Sequence, residues 1–134
     1  GWDTLKNKTF LREIVQVFKS KGIRVSLFVD PVEEMIKGAA ETGADRVELY
    51  TESYASLFPT DPVNAVAPFA RADGWAHSYG LGLNAGHDLD LKNLRYLKNQ
   101  LPHLLEVSIG HALISDALYF GLENTVQLYL RELK

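Results

Sequence analysis

The chain of 134 residues contains no cysteine. That removes a disulfide framework and any thiolate metal site, and it suits a reducing compartment, so a cytoplasmic location is expected. No apolar run approaches the roughly 18 residues of a membrane span, and no membrane partner is expected. Basic residues are in slight deficit: 14 Lys and Arg stand against 17 Asp and Glu, for a net charge of −3. A nucleic-acid partner held by bulk positive charge is therefore not expected either. The opening GWDTLKNKTF lacks the basic and apolar pattern of a signal peptide. It also lacks an initiating Met, which leaves room for the chain to be a piece of something longer. Neither nucleotide fingerprint is present: no G-x-G-x-x-G follows the first predicted strand, and G-x-x-x-x-G-K is absent.

Apolar residues make up 46% of the chain, enough for one core. Their spacing alternates between two periods. Leu11, Ile14, Val15 and Phe18 share a helical face in 9–21, and Gly22 supplies a stop. IRVSLFVD (23–30) reads as a strand. Asp30-Pro31-Val32-Glu33 then predicts a capped helix start, with Val32, Met35, Ile36, Ala39 and Ala40 as the buried stripe and Gly43 at the end. RVELY (46–50) is the second strand, and TESYASLFPT is expected to be loop. Asp61-Pro62 opens a helix reaching about Gly80, with a kink or late start at Pro68 and Gly74. LGLNAG (81–86) is the third strand. Asp90 is placed to cap a helix over 91–100, and LLEVSIG (104–110) is the fourth strand. A short helix at 112–116 and a last one carrying Leu118, Leu122, Val126, Tyr129 and Leu133 on one face complete the chain.

This α/β alternation predicts a parallel sheet with crossover helices. All four strands place a polar or small parity beside an apolar one. Arg24, Ser26 and Phe28 alternate with Ile23, Val25 and Leu27; Arg46, Glu48 and Tyr50 with Val47 and Leu49. Gly82, Asn84 and Gly86 alternate with Leu81, Leu83 and Ala85; Glu106, Ser108 and Gly110 with Leu105, Val107 and Ile109. A doubly wound sheet buries both faces and has no place for such carboxylates. A barrel interior holding a polar ligand does. A (β/α)8 barrel takes about 250 residues, so four strands amount to half of one, a single half-barrel domain over 1–134. Its exposed sheet edges call for a missing half, a swapped partner or a second copy.

His87 follows Asn84-Ala85-Gly86 at the C-terminal end of a strand, where barrel active sites lie. An imidazole there suits proton transfer at neutral pH; the plainer reading is a turn histidine with a local hydrogen bond. Glu48 has inward parity, so its carboxylate either stabilises a developing cation or pairs with Arg24 or Arg46. Glu106 sits near the start of its strand and reads as structural. Gly110-His111 opens a helix after the last strand, which is at once an ordinary turn and an anion cradle. Asn84 either orients His87 or a substrate oxygen, or is a satisfied inner amide. The His87-Asp88-Leu89-Asp90 run hints at a metal site, but a helix cap is the preferred reading, and no metal is expected. His77 and His103 read as surface, and Tyr50, Tyr54, Trp75 and Tyr79 as packing residues.

VSLFVDP, GADRVELYTESYA, LGLNAGHDL and LLEVSIGHALISDALYFGL together resemble the second half of the pyridoxine 5′-phosphate synthases, the PdxJ family. The resemblance covers nearly the whole chain. It implies a (β/α)8 barrel with extra helices in a homo-oligomer. It also implies condensation of 1-deoxy-D-xylulose 5-phosphate with 3-amino-2-oxopropyl phosphate to pyridoxine 5′-phosphate, phosphate and water, without metal or organic cofactor. His87 of NAGH matches the family's proton donor, and Glu48 a glutamate that stabilises the transition state. Gly110 and His111 of SIGHA match positions that bind the aminoketone phosphate. The position after the donor histidine, also substrate-binding, is usually Gly in the family; here it is Asp88, which is expected to contribute backbone only or to face away. The family's remaining bases and grips belong to the other half of the barrel, the partner this chain is expected to need. The alternative is a non-catalytic half-barrel that binds anions or self-assembles.

Overall fold

A computed structural model describes residues 1–134. In chain order the elements are α1 (Lys8–Ser20), β1 (Ser26–Val29), α2 (Glu33–Thr42), β2 (Arg46–Tyr50), α3 (Glu52–Leu57) and α4 (Pro62–Ser78). Then come β3 (Gly82–Gly86), α5 (Leu94–Gln100), β4 (Leu104–Ser108), α6 (His111–Phe120) and α7 (Leu122–Glu132). The four strands are parallel and lie in the order β1-β2-β3-β4. Sequential order without reversal has no switch point of the doubly wound kind. It is the arrangement of half a (β/α)8 barrel, as the alternation of elements predicts.

The expected parity organises the sheet. Leu27, Val29, Val47, Leu49, Leu83 and Ala85 are buried beneath the helical layer. Each large aliphatic side chain buried there contributes about 1.5–3 kcal/mol. Across the other face, Phe28 pairs with Glu48 and Glu48 with Asn84, while Tyr50 pairs with Gly86 and Gly86 with Ser108. Leu105 departs from the pattern. The register shifts between Leu83 and Asn84, so Leu104 pairs with Leu83 and Glu106 with Asn84. Leu105 is the extra residue of this irregularity and is 62% exposed instead of covered.

Helix boundaries follow the local chemistry with some corrections. Asp61 caps α4 by accepting from the Asn64 N–H at 3.1 Å, and Pro62 occupies the first turn. Pro68 does not interrupt α4, which is continuous over 17 residues. An interior proline costs about 3 kcal/mol; the burial of Ala65, Val66, Phe69, Ala72 and Ala76 on the same helix outweighs that. The expected cap at Asp30 does not form: α2 begins at Glu33, with Val32 at the cap position, no side-chain cap bond, and Val32 44% exposed. Gly43 ends α2 in the left-handed region at φ +86°, as expected. Residues 52–57, expected to be loop, form α3, anchored by the fully buried Tyr54. At the C-terminus the break lies at Gly121, so Leu118 and Leu122 belong to different helices. Both are exposed, at 82% and 59%, while Tyr129 is buried.

The β1 edge is not bare. Trp2 N–H donates to Phe28 O at 2.7 Å, laying the N-terminal segment against it. Thr4 Oγ1 then donates to Met35 O at 2.8 Å, beside Gly38, where a Cβ would collide with the threonine. No helix is long and apolar enough to cross a membrane.

Candidate active site

The open face of the sheet carries two layers of side chains. In the lower one, toward the strand starts, Arg46 Nη1 donates to Asn84 Oδ1 and to Glu106 Oε2, both at 3.0 Å. Arg24 Nη2 reaches the same Glu106 oxygen at 3.1 Å. The two arginines are thus committed to Glu106, the carboxylate read as structural. Asn84 is buried and satisfied by Arg46, so it does not orient His87. Gly82 makes room for this layer: a Cβ there would lie 2.8 Å from Arg46 Cγ.

Glu48 stands one layer higher, free of both arginines. Its only hydrogen-bond partner is Ser108, whose Oγ donates to Oε2 at 3.2 Å. Its other oxygen lies over Gly86, where a Cβ would collide with Oε1. A partly exposed carboxylate without a cationic partner is poised to meet a positive charge supplied by a ligand.

The chain leaves β3 through two consecutive left-handed residues, His87 at φ +84° and Asp88 at φ +55°. Non-glycine residues in that region cost of order 1–3 kcal/mol each, and they persist only where their surroundings hold them. Here three buried groups do so. Thr51 donates from its amide to Gly86 O at 2.9 Å and from Oγ1 to Gly86 O at 2.6 Å, with His87 O also in reach of the hydroxyl. Asn93 Nδ2 donates to Asp88 O at 3.1 Å. Tyr54 OH donates to Asn93 O at 2.6 Å, and burial pushes the Tyr54 phenol above its ordinary range. The imidazole of His87 rests against both Phe28 and Tyr50, with centroids at 5.2 and 5.1 Å and the Tyr50 contact edge-on, and those two rings touch each other at 5.3 Å.

A cleft of about 810 Å³ opens above these groups. His87, Asp88, Glu48, Gly110 and His111 all line it, together with Ser108 and Ser115. The five candidate residues therefore meet at the C-terminal ends of β2, β3 and β4, although they come from three separate stretches of the chain. Gly110 immediately precedes α6, and His111 is its first residue, so free backbone N–H groups border the cleft. Asp88 lines the cleft, and its carbonyl is occupied by Asn93. Asp90 also lines the cleft, and its Oδ1 accepts from the Lys92 and Asn93 amides at 2.8 and 3.0 Å in the turn ahead of α5. The helix itself begins at Leu94 with Asn93 at the cap position, so Asp90 is not the helix cap expected of it. The His-Asp-x-Asp run does not converge as a metal-ligand set.

Thr51, Asn93 and Ser108 escaped the reading of the sequence, because their partners lie far away along the chain. A Thr directly after a strand and His-Asp after a glycine were the available signals, since His and Asp are enriched among left-handed residues. His77 and His103 are exposed, as expected, but they are not without partners. Their rings stack at 3.9 Å, and His103 engages the buried Asp73 through both its amide, at 3.0 Å, and its ring Nδ1, at 2.6 Å.

The family model described as pyridoxal phosphate biosynthesis protein PdxJ matches residues 1–134. The chain belongs to the PdxJ family. It is 63% identical over 134 residues to the pyridoxine 5′-phosphate synthase of Cytophaga hutchinsonii, covering all of this chain and 56% of that protein. It is 60% identical over 134 residues to that of Christiangramia forsetii, with the same coverage of 100% and 56%. The Bacteroides fragilis protein is 60% identical over 129 residues, 96% of this chain and 54% of that protein. The chain thus spans little more than half the length of these PdxJ relatives. Four strands match that share of an eight-stranded barrel.

Proposed function

We propose that this chain is the C-terminal half of a pyridoxine 5′-phosphate synthase, the step of vitamin B6 biosynthesis that joins 1-deoxy-D-xylulose 5-phosphate to 3-amino-2-oxopropyl phosphate. The observation that carries the reading is the convergence of His87, Glu48, Gly110 and His111 on one cleft. In this reading the amide groups at the start of α6 and His111 hold the aminoketone phosphate. Glu48, unpaired with any arginine, offsets the positive charge of the iminium formed when amine and ketone condense. His87 donates the proton that lets oxygen leave as water. Asp88 takes part through its backbone. Phosphate is lost before ring closure, and no metal or organic cofactor enters. The other half of the barrel supplies the remaining bases and grips, and the assembled protein is a homo-oligomer.

The test is turnover of the two phosphorylated substrates by this chain joined to, or mixed with, the other half of a PdxJ barrel. Product is expected from the combination and not from the 134-residue chain alone. His87→Asn in the combination should cut turnover by about 10²–10⁴-fold, the range for losing a general acid. An unchanged rate would remove His87 from the mechanism. Inorganic phosphate bound by the chain alone, with no turnover by the combination, would favour the anion-binding module instead.

A further inference from the structure

We infer that Thr51 is a positioning residue for His87, fixing the direction of its imidazole through the peptide groups on either side of it. The inference rests on the proton-donor reading of His87 given above. Thr51 occupies the cap position ahead of α3, where a threonine hydroxyl ordinarily accepts from a helix amide. This one makes no cap hydrogen bond. It is fully buried and aimed the other way, at Gly86 O and His87 O, some 35 residues distant along the chain. Its own amide also donates to Gly86 O. A helix thus forgoes its cap so that one side chain can grip the end of the neighbouring strand.

What is gripped is the strained part of the cleft. His87 at φ +84° is a left-handed residue that is not glycine, and Asp88 after it is another. If the peptide groups at 86 and 87 relaxed toward an ordinary conformation, the His87 side chain would swing off its seat against the Phe28–Tyr50 pair. Asn93, itself held by the Tyr54 hydroxyl, grips only the far end of the turn, at Asp88 O. Thr51 alone reaches the carbonyls that flank the His87 Cα.

The test compares Thr51→Val, which keeps the shape and loses the donor, with Thr51→Ser, which keeps the donor, in the barrel combination used for turnover. Thr51→Val should lower kcat by about 10²-fold, the scale of a misplaced reacting group, with KM unchanged. Thr51→Ser should restore it. Proton NMR supplies a readout that is independent of activity. The His87 ring signals, set by the ring currents of Phe28 and Tyr50, should move in Thr51→Val, while those of His77 and His103 stay in place. Should Thr51→Val not fold, the same comparison is made with Asp88→Gly added, since glycine takes the left-handed conformation without a clamp. Unmoved His87 signals, or equal losses in the valine and serine variants, would overturn the positioning role. Moved signals with full turnover in both Thr51→Val and His87→Asn would uphold it and overturn the donor reading instead.

Discussion

Glu48 and Ser108 meet across an intervening strand. The Ser108 hydroxyl donates to Glu48 Oε2 at 3.2 Å over the bare Cα of Gly86, which separates them in the sheet. The missing side chain in β3 is what lets a residue of β2 touch one of β4.

Gly86→Ala would therefore displace the Glu48 carboxylate, the flexible neighbour, and press on Ser108 Cβ at 3.2 Å. The expected stability loss is that of mild overpacking, about 1–3 kcal/mol. Turnover by the barrel combination should fall by about 10²-fold, because the displaced group is the one assigned to the developing charge. Thermal unfolding and steady-state rates on the same preparation check both.

Asp88→Gly is expected to stabilise the protein. A left-handed non-glycine residue costs roughly 1–2 kcal/mol, and the added chain entropy of glycine gives back about 0.5–1. A net gain of up to about 1.5 kcal/mol should appear in urea denaturation as a higher midpoint with unchanged slope. Removal of a carboxylate from the cleft should also tighten binding of inorganic phosphate, measured by calorimetric titration at low salt.

Tyr54→Phe removes the hydroxyl that donates to Asn93 O and leaves a buried carbonyl without its partner. A loss of about 1–3 kcal/mol follows. Amide exchange around residues 88–93 should accelerate more than in β2, since the loss is local to that turn.

Asp45 gives an acid-side signature. A hydrogen bond from Lys19, then one from the Val25 amide, holds its carboxyl below the ordinary value of 3.8. The unfolded chain takes up the proton first. The contribution of Asp45 is therefore complete above the ordinary carboxylate range and disappears as pH falls through the depressed value. Asp45→Asn should lower the midpoint of urea unfolding at neutral pH, and the gap from the parent protein should close at strongly acidic pH.

The strand order and the inward set of side chains were legible because alternation is a local property. Glu48 had to face the interior once Val47 and Leu49 faced the helices, and the His87 and Gly110 positions followed from where strands end. What escaped depended on contacts across the sheet. Nothing near Leu105 announces the irregularity that exposes it, since the shift is defined only against Leu83 and Asn84. TESYASLFPT has turn-like composition, and α3 exists because Tyr54 finds a buried site beneath Phe58 and Phe69. The apolar spacing of ALISDALYFGL puts the helix break ahead of Leu118, whereas the chain breaks at Gly121, whose positive φ ends α6. Thr51 looks like any helix cap until its hydroxyl is traced to another strand.

Asp73 spends both carboxylate oxygens on His103, one on the amide and one on the ring, just before β4 begins. The base of the last strand is thereby pinned to the long helix three elements earlier. The sheet is thus braced at its base by Asp73 as it is at its rim by Thr51, and the cleft is built between two fixed points.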